Sequence, residues 1–229
     1  MKTFLALGAV IVLLGQGCAT TERQRVEQSP AICGFLGADV CHELKPGARD
    51  EAGLRYVNPK GMFTQYDKVM IVVVGFFGSD PGKVQPKDEQ RLTDVFYKNL
   101  HEALAKRYHV VDEAGAGVMK VEVALLDAEA ATAGARSITM VVPQLRVLSA
   151  GYALAAGRYP FSGGGQAAAK ISDSMTEQVL GVAVDRRAGG GSLETAAQWQ
   201  WGDAENAIKI WSSLLANGVY AYTSGEKKP

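Results

Sequence analysis

The sequence is poor in the residues that carry most enzyme chemistry, and it has no excess of either charge. It includes three histidines (His42, His101 and His109) and three cysteines, and its 24 Lys and Arg residues balance its 24 Asp and Glu residues. A neutral chain without a basic stripe lacks the electrostatic footprint of a nucleic-acid-binding protein. It also produces no long-range field that would steer a charged ligand. We therefore expect no nucleic-acid partner.

Recognisable catalytic and cofactor motifs are also missing. The chain has no Gly-x-Ser-x-Gly nucleophile elbow, no phosphate loop ending in Gly-Lys-Ser/Thr, no HExxH sequence and no dinucleotide-binding glycine spacing. His42 follows Cys41, but no further ligand lies at a spacing that metal sites use. The sequence therefore predicts a protein that is not an enzyme and that holds no cofactor and no metal.

The N-terminus carries an export signal of the lipoprotein type. An apolar run over residues 4–14 has the length of a signal peptide and is shorter than the roughly 20 residues that span a bilayer. Residues 15–18 read Gly-Gln-Gly-Cys, with glycine where leucine is usual, and small residues before a cysteine are what lipoprotein signal peptidase reads. We predict a signal peptide over residues 1–17 and lipidation of Cys18. A secretory signal cut after Ala19 and a retained membrane helix are the alternatives.

The residue after Cys18 predicts where the protein is delivered. It is Ala19 rather than Asp, and by the sorting rule for Gram-negative lipoproteins this predicts the outer membrane. Several acyl chains, palmitate among them, would hold the protein there firmly, since one chain alone binds only marginally. We expect a lipid-anchored protein that faces the periplasm, with a soluble periplasmic or secreted protein as the alternative.

The two remaining cysteines predict a disulfide. With Cys18 lipidated, Cys33 and Cys41 form an even remainder. In an oxidising compartment such a pair indicates one bridge, which would close a short loop. Two independent thiols are the alternative.

Segment composition predicts one domain between two polar ends. Residues 18–31 are polar and non-periodic, and they indicate a flexible tether. Residues 32–220 are long enough for a single domain with its own core. Residues 221–229 are predicted to form a polar tail.

Hydrophobic periodicity predicts the strands and one helix of a mixed sheet. Residues 68–77 are apolar almost throughout and indicate a strand buried on both faces. The alternation over residues 119–126 indicates a strand with one buried face. Apolar residues at spacings of three and four after Pro86 indicate an amphipathic helix, and residues 166–171 and 179–185 indicate a hairpin.

Two further helices complete the predicted fold. Residues 143–156, which begin with proline and are rich in leucine and alanine, favour a short buried helix over a strand. Another helix follows Asp203, which we expect to cap it, and Asn217-Gly218 is expected to end it. Elements in this order predict an α/β fold with α+β-like character, in which two or three helices pack on a mixed sheet in a single domain.

Two groups of residues are candidates for ligand binding. Arg186-Arg187 is predicted to lie in an exposed loop, where guanidinium groups can grip a phosphate or a carboxylate. A solvated hairpin end is the interpretation that we favour. Trp199 and Trp201 alternate as on one strand face and can stack on a sugar or a peptide. Packing in the core with Trp211 is the interpretation that we favour.

Several short segments, taken in order, match one family. They are Gly-Phe-Leu-Gly at 34–37, Leu-Arg-Tyr-Val-Asn-Pro at 54–59, Tyr-Asp-Lys-Val-Met-Ile at 66–71, Val-Pro-Gln-Leu-Arg-Val-Leu at 142–148, Asp-Ser-Met-Thr at 173–176, Val-Asp-Arg-Arg at 184–187, and Trp-Gly-Asp-Ala at 201–204 followed by Trp211. In this set the chain resembles the domain of unknown function 3313 (DUF3313) family of proteobacterial lipoproteins. The resemblance implies a lipoprotein address and no known activity.

Two positions depart from the family pattern. Ala168 stands where such proteins carry a glutamate, and Thr176-Glu177 replaces the Thr-Gly expected at the hairpin turn. Cys33 and Cys41, which flank the Gly-Phe-Leu-Gly segment, are a local addition. A role that depends on the family's glutamate is therefore not expected here.

The sequence as a whole favours a non-catalytic binding or scaffolding module of the cell envelope. This hypothesis is supported by the anchor, the tether and a compact domain in which no set of catalytic residues is recognisable. The comparison with other lipid-anchored domains is an analogy of architecture. The partners would be the membrane, through the lipid, and an unidentified envelope protein. The alternative is a small-ligand-binding protein or an enzyme that uses Arg186-Arg187, Trp199-Trp201 and Asp173. The oligomeric state does not follow from the sequence.

Overall fold

The structure is a computed structural model that describes residues 21–27, 29–78, 83–132, 148–149, 152–153, 155, 162–190 and 200–229. Cys18 and Trp199, for which predictions were made, lie outside these ranges. Most of the helix predicted over residues 143–156 also lies outside them. The described residues of that segment are helical, but Leu148 and Tyr152 are exposed. The predicted burial is therefore wrong at these two side chains.

The strands of the described residues form one eight-stranded sheet. They are β1 (Thr21–Gln24), β2 (Lys45–Pro46), β3 (Leu54–Val57), β4 (Lys68–Phe76), β5 (His109–Val110), β6 (Val118–Glu129), β7 (Gly164–Asp173) and β8 (Val179–Gly189). Their order is β2-β3-β8-β7-β6-β4-β5, and β1 pairs with β8 beside β3. Strand β4 runs parallel to β5 and β6, and the other pairs are antiparallel, which confirms the predicted mixed sheet.

Helices cover both faces of this sheet. Those described from end to end are α1 (Pro30–Leu36), α2 (Ala38–Cys41), α3 (Pro86–Leu104) and α4 (Gly202–Thr223). Helices α3 and α4 pack on one face and form the main core with sheet residues such as Val121 and Leu125. Helix α1 packs on the opposite face, where Ile32 and Leu36 belong to a second cluster with Val184. This arrangement confirms the predicted α/β fold.

Helix α3 follows the sequence prediction closely. Pro86 is its first residue, and Asp88 and Glu89 lie in the first turn, where carboxylates stabilise the positive end of the helix dipole. Its buried residues fall on one stripe: Leu92, Phe96, Leu100 and Leu104. A stripe of this spacing faces a core, so periodicity alone was sufficient to identify the helix.

Strand β4 is not buried on both faces as predicted. Val69 is fully buried, but Val72 is 50% exposed, and Phe77 just beyond the strand is 45% exposed. Helix α1 has only seven residues and lies on β6 and β7, so it leaves this part of β4 open. The prediction from the continuous apolar run therefore overestimated how much of strand β4 is buried.

Residues 21–24 are not part of a flexible tether. They form β1, which pairs with residues 186–189 of β8, and Arg23 donates hydrogen bonds to the carbonyl oxygens of Ala48 (2.6 Å) and Glu51 (3.2 Å). Backbone pairing holds this short polar strand, so it shows no hydrophobic alternation. The tether prediction is wrong here and again from Pro30, where α1 begins.

Helix α4 continues past the glycine that was expected to end it. It runs to Thr223 because Val219 and Tyr222 pack into the core. That burial outweighs the roughly 1 kcal/mol by which glycine disfavours a helix interior. The boundary predicted between domain and tail at residue 221 is therefore wrong.

The turn of the β7–β8 hairpin is organised by Asp173. Its Oδ1 accepts hydrogen bonds from the backbone N–H groups of Met175 (2.9 Å) and Thr176 (2.7 Å), and its Oδ2 accepts one from the Tyr66 hydroxyl (2.9 Å). Partial burial raises the pKa of the Asp173 carboxyl, but the hydrogen bonds from Thr176, Tyr66 and Met175 outweigh burial and hold this pKa below its usual value. Asp173 thus has a structural role in the turn.

The residue that departs from the family pattern in this turn has a strained backbone. The φ angle of Glu177 is 59°, which lies in the left-handed region that glycine adopts without steric cost. Its side chain is exposed and pairs with Lys120, a contact of small value at the surface. We expect Glu177→Gly to raise the free energy of unfolding, measured by urea denaturation, by about 1 kcal/mol.

A neighbouring substitution serves as the control. Thr176 lies outside the left-handed region, and its hydroxyl donates to Asp173 Oδ1 (3.0 Å). Thr176→Gly should therefore destabilise the protein. If both glycine variants lower stability, the strain attributed to Glu177 is refuted.

Candidate functional site

Arg186 and Arg187 lie within strand β8 and not in an exposed loop. Because adjacent strand residues point to opposite faces, the two guanidinium groups lie on different faces of the sheet. Arg186 Nη2 lies 2.6 Å from Glu129 Oε1, and its other terminal nitrogen pairs with Glu27. Arg187 Nε lies 2.8 Å from Asp185 Oδ2. The loop prediction is therefore wrong, and each guanidinium already has a carboxylate partner.

These two arginines border a polar cleft of about 1150 Å³. The cleft is also lined by Arg23, Arg25 and Lys83, and by the carboxylates that neutralise part of this charge. An anion bound here would have to displace existing ion pairs of Arg186 and Arg187. The predicted grip on a phosphate is thus weaker than the sequence suggested.

Trp201 is not a stacking surface. It stands at the N-terminal boundary of α4, is 3% exposed and belongs to the main core. Two residues later, Asp203 is fully buried, and its Oδ2 accepts a hydrogen bond from the backbone N–H of Gly163 (2.8 Å). Helix α4 begins at Gly202 with Trp201 at the N-cap position, so the predicted Asp203 cap is incorrect, whereas the favoured packing of Trp201 in the core is confirmed.

A buried carboxylate that the sequence did not single out links three elements. Asp185 Oδ1 accepts from the backbone N–H of Gly53 (2.7 Å), and Oδ2 accepts from Arg187 Nε (2.8 Å) and Trp211 Nε1 (3.0 Å). The side chain is 4% exposed. Charge-assisted hydrogen bonds in such surroundings are strong, and these three tie β8 to α4 and to the segment before β3.

Beside Asp185, an apolar cavity of about 480 Å³ lies between helix α4 and the sheet. We call it the α4 cavity. Its volume falls within the roughly 300–1,000 Å³ typical of small-ligand sites. Trp211, Leu215 and Val219 line it from the helix, and Val123 and Ile171 line it from the sheet.

Small side chains on the sheet leave this space open. Ala169 of β7 pairs in register with Ala183 of β8, and both are only half-buried although they lie on central strands. The next pair, Ile171 and Gly181, has one side without a side chain. Larger residues at these positions would fill the gap beneath α4, as close packing normally does.

Charged groups gather at one end of the α4 cavity. Glu51 Oε1 lies 2.6 Å from Arg55 Nη1 and 2.9 Å from Lys227 Nζ, and Arg55 Nη2 donates to the Tyr222 hydroxyl (3.1 Å). Burial raises the pKa of Glu51, but the hydrogen bonds from Ala48 and Lys227 and the charge of Arg55 outweigh burial and lower this pKa. The hydrogen bond to Glu51 raises the pKa of Lys227. We call these groups the rim.

The predicted disulfide is confirmed. Cys33 and Cys41 are bonded, with their Cα atoms 5.3 Å apart, and the bond ties α1 to α2 on the face opposite α4. Ala168, at the position of the family's glutamate, is buried in the same cluster as Ile32 of α1.

Two kinds of feature do not occur among the described residues. No helix there combines the length and the apolar character needed to cross a membrane. No group of three or more His, Cys, Asp or Glu side chains in the same ranges is placed to hold a metal ion.

Comparison with known proteins gives a family and distant structural relatives. A family model described as "Protein of unknown function (DUF3313)" matches residues 34–215. The structure of a PelC dodecamer from Paraburkholderia phytofirmans, carrying a single substitution, is similar at 13% identity and a TM-score of 0.39, covering 71% of this chain and 95% of that chain. A DUF330 protein from Xanthomonas campestris is similar at 11% identity and a TM-score of 0.37, covering 75% of this chain and 94% of that chain. A DUF4136 protein from Bacteroides thetaiotaomicron is similar at 9% identity and a TM-score of 0.35, covering 72% of this chain and 94% of that chain. No curated protein matches this chain.

Proposed function

This chain belongs to the DUF3313 family of proteins of unknown function, and from its own residues we propose that it is an exported, lipid-anchored and non-catalytic binding module of the cell envelope. The α4 cavity carries the binding part of this proposal. A cavity of about 480 Å³ with apolar walls and a few polar groups at one end has the build of a ligand site.

The arrangement of polar groups supports binding rather than catalysis. The buried carboxylate next to the cavity, Asp185, accepts three hydrogen bonds, and no serine, cysteine or histidine is among the described residues that line the cavity. At the rim, Glu51 is held by two cations. General acid–base catalysis requires a group that is positioned to exchange a proton with a substrate, and these carboxylates are engaged in structural pairs.

Two observations support export to the envelope. The N-terminal run and Cys18 have the pattern of a lipoprotein signal. The Cys33–Cys41 disulfide is the kind of bond that persists in oxidising compartments. Under this proposal the protein faces the periplasm from the outer membrane, and its partners are envelope components.

Replacing Cys18 by alanine tests the anchor. We expect the mature wild-type protein to begin at Cys18, to carry three acyl chains by intact mass and to sediment with membranes. Because a triacylated cysteine supplies most of the membrane affinity, Cys18→Ala should lose both the added mass and the membrane association.

The double substitution Cys33→Ala with Cys41→Ala is the matched control. It also removes thiols, but it leaves the anchor, so the protein should stay in the membrane fraction. An unmodified mass beginning at Thr20 in a soluble wild-type protein would contradict the anchor and leave only export.

A further inference from the structure

We propose that the α4 cavity binds an amphiphile with a single apolar chain and an anionic head group, which lies at the rim against Arg55 and Lys227. This inference rests on the binding role proposed above and names the class of ligand. It follows from three features of the cavity: walls without free polar groups, a straight path of defined length, and two cations where the path begins.

The walls accept hydrocarbon. Side chains from both layers are apolar, among them Trp211, Leu215 and Val123. Asp185 also borders the cavity, but its oxygens are taken up by three donors, and Trp211 Nε1 is one of these. A ligand therefore meets no polar group inside that needs a partner, and burying a ligand's own polar group there would cost free energy.

The path runs across the strands from the rim. On the face that carries α4, Arg55 of β3 is in register with Ala183 of β8, which pairs with Ala169 of β7, which pairs with Val123 of β6. Three steps of about 4.8 Å between strands give a row about 14 Å long. Three bonds of an extended chain advance about 3.5 Å, so this row matches a chain of about twelve bonds.

The rim favours an anion at the start of this row. Two cations line the cavity there, Arg55 and Lys227, and both contact the carboxylate of Glu51. Arg55 alone neutralises Glu51, so the charge of Lys227 is available to an anion, and Asp50, the other carboxylate at this end, is exposed to solvent. An anionic head group can pair with Lys227 and lie beside the guanidinium of Arg55, whose terminal nitrogens already donate to Glu51 and Tyr222.

Lys227 can make room for the head group. It follows the end of α4, and its side chain is 47% exposed. Its pair with Glu51 is a surface contact of small value. When a head group displaces Lys227 from Glu51, the lysine ammonium group faces the new anion and pairs with it.

The test measures binding of matched twelve-carbon amphiphiles by titration calorimetry below their micelle concentrations. The protein is the full chain with Cys18→Ala, so that its own acyl chains do not compete and the result does not depend on the anchor. We expect dodecanoate and dodecyl phosphate to bind, and dodecyltrimethylammonium to bind about ten-fold more weakly. Octanoate, which lacks four methylenes, should bind about 100-fold or more weakly than dodecanoate, since each buried methylene strengthens binding about four-fold.

Two variants locate the chain and the head group. Ala183→Leu fills the middle of the row, so it should bind dodecanoate at least about ten-fold more weakly while its melting temperature stays equal or rises. Arg55→Gln should remove the preference for the anion. Ala114→Leu, the same change in size on an exposed loop, should bind like the parent.

The possible results separate the ligand class from the site. If all head groups bind equally and Ala183→Leu abolishes binding, the anionic head group is refuted while the cavity stands as a binding site. If no amphiphile binds, or if Ala183→Leu binds dodecanoate like the parent, the α4 cavity is refuted as a chain site. Tighter binding of dodecanoate than of dodecyl phosphate would indicate a fatty-acid ligand, and the reverse a phosphate-bearing lipid.

Discussion

Asp185→Ala should lower the free energy of unfolding by about 3 kcal/mol. The substitution leaves Arg187 buried without its carboxylate partner, and it removes the acceptor of Trp211 Nε1 and of the Gly53 backbone N–H. Breaking a buried ion pair from one side costs about 3–5 kcal/mol, because the remaining charge is left unpaired. Urea denaturation of the purified chain measures the change.

Asp127→Ala is the matched control for this prediction. Asp127 also pairs with a single cation, Lys83 at 2.7 Å, but both side chains are partly exposed. Pairs of this kind are worth about 1 kcal/mol or less. If the two alanine variants lose equal stability, Asp185 does not hold β8, α4 and the segment before β3 together in the way its contacts indicate.

Gly189→Ala should destabilise the protein by about 2 kcal/mol. A Cβ atom at Gly189 would overlap the carboxyl group of Asp203, which is fully buried and accepts a hydrogen bond from the Gly163 backbone N–H at 2.8 Å. The carboxyl group would have to move and lose that bond. Overpacking of a well-packed site typically costs about 1–3 kcal/mol, and an unpaired buried polar group adds to this.

Gly34→Ala provides a control of opposite sign. Gly34 lies within α1, and a Cβ atom there meets no other atom within 4 Å. Alanine favours a helix interior over glycine by about 1 kcal/mol, so this variant should be more stable than the parent. Equal losses from both glycine substitutions would show that contact with Asp203 is not the reason.

Hydrophobic periodicity identified those parts of the fold whose structure follows from the pattern within one chain segment. Helix α3 and the β7–β8 hairpin each bury one stripe or one face, so their sequence repeats every three to four residues or every two. Strand β1 and the last turns of α4 are different, because partners distant in sequence decide them. Backbone pairing with β8 holds β1, and burial of Val219 and Tyr222 carries α4 past Gly218.

The candidate site could not be predicted for a related reason. The α4 cavity is a space left by small residues on two strands beneath a helix, and Ala169 and Ala183 have no unusual pattern in the sequence. Arg186 illustrates the opposite error. Consecutive arginines near glycines indicate an exposed loop, but the partners of Arg186, Glu27 and Glu129, are distant in the chain and bring it into the sheet.

The early start of β1 also determines how the protein would stand on a membrane. Only Ala19 and Thr20 separate Cys18 from Thr21, the first residue of the sheet, and three residue steps reach at most about 10 Å. If Cys18 carries the proposed lipid, a domain attached in this way rests against the head groups of its own leaflet. It cannot reach across the periplasm, so a partner on the far side would have to come to it.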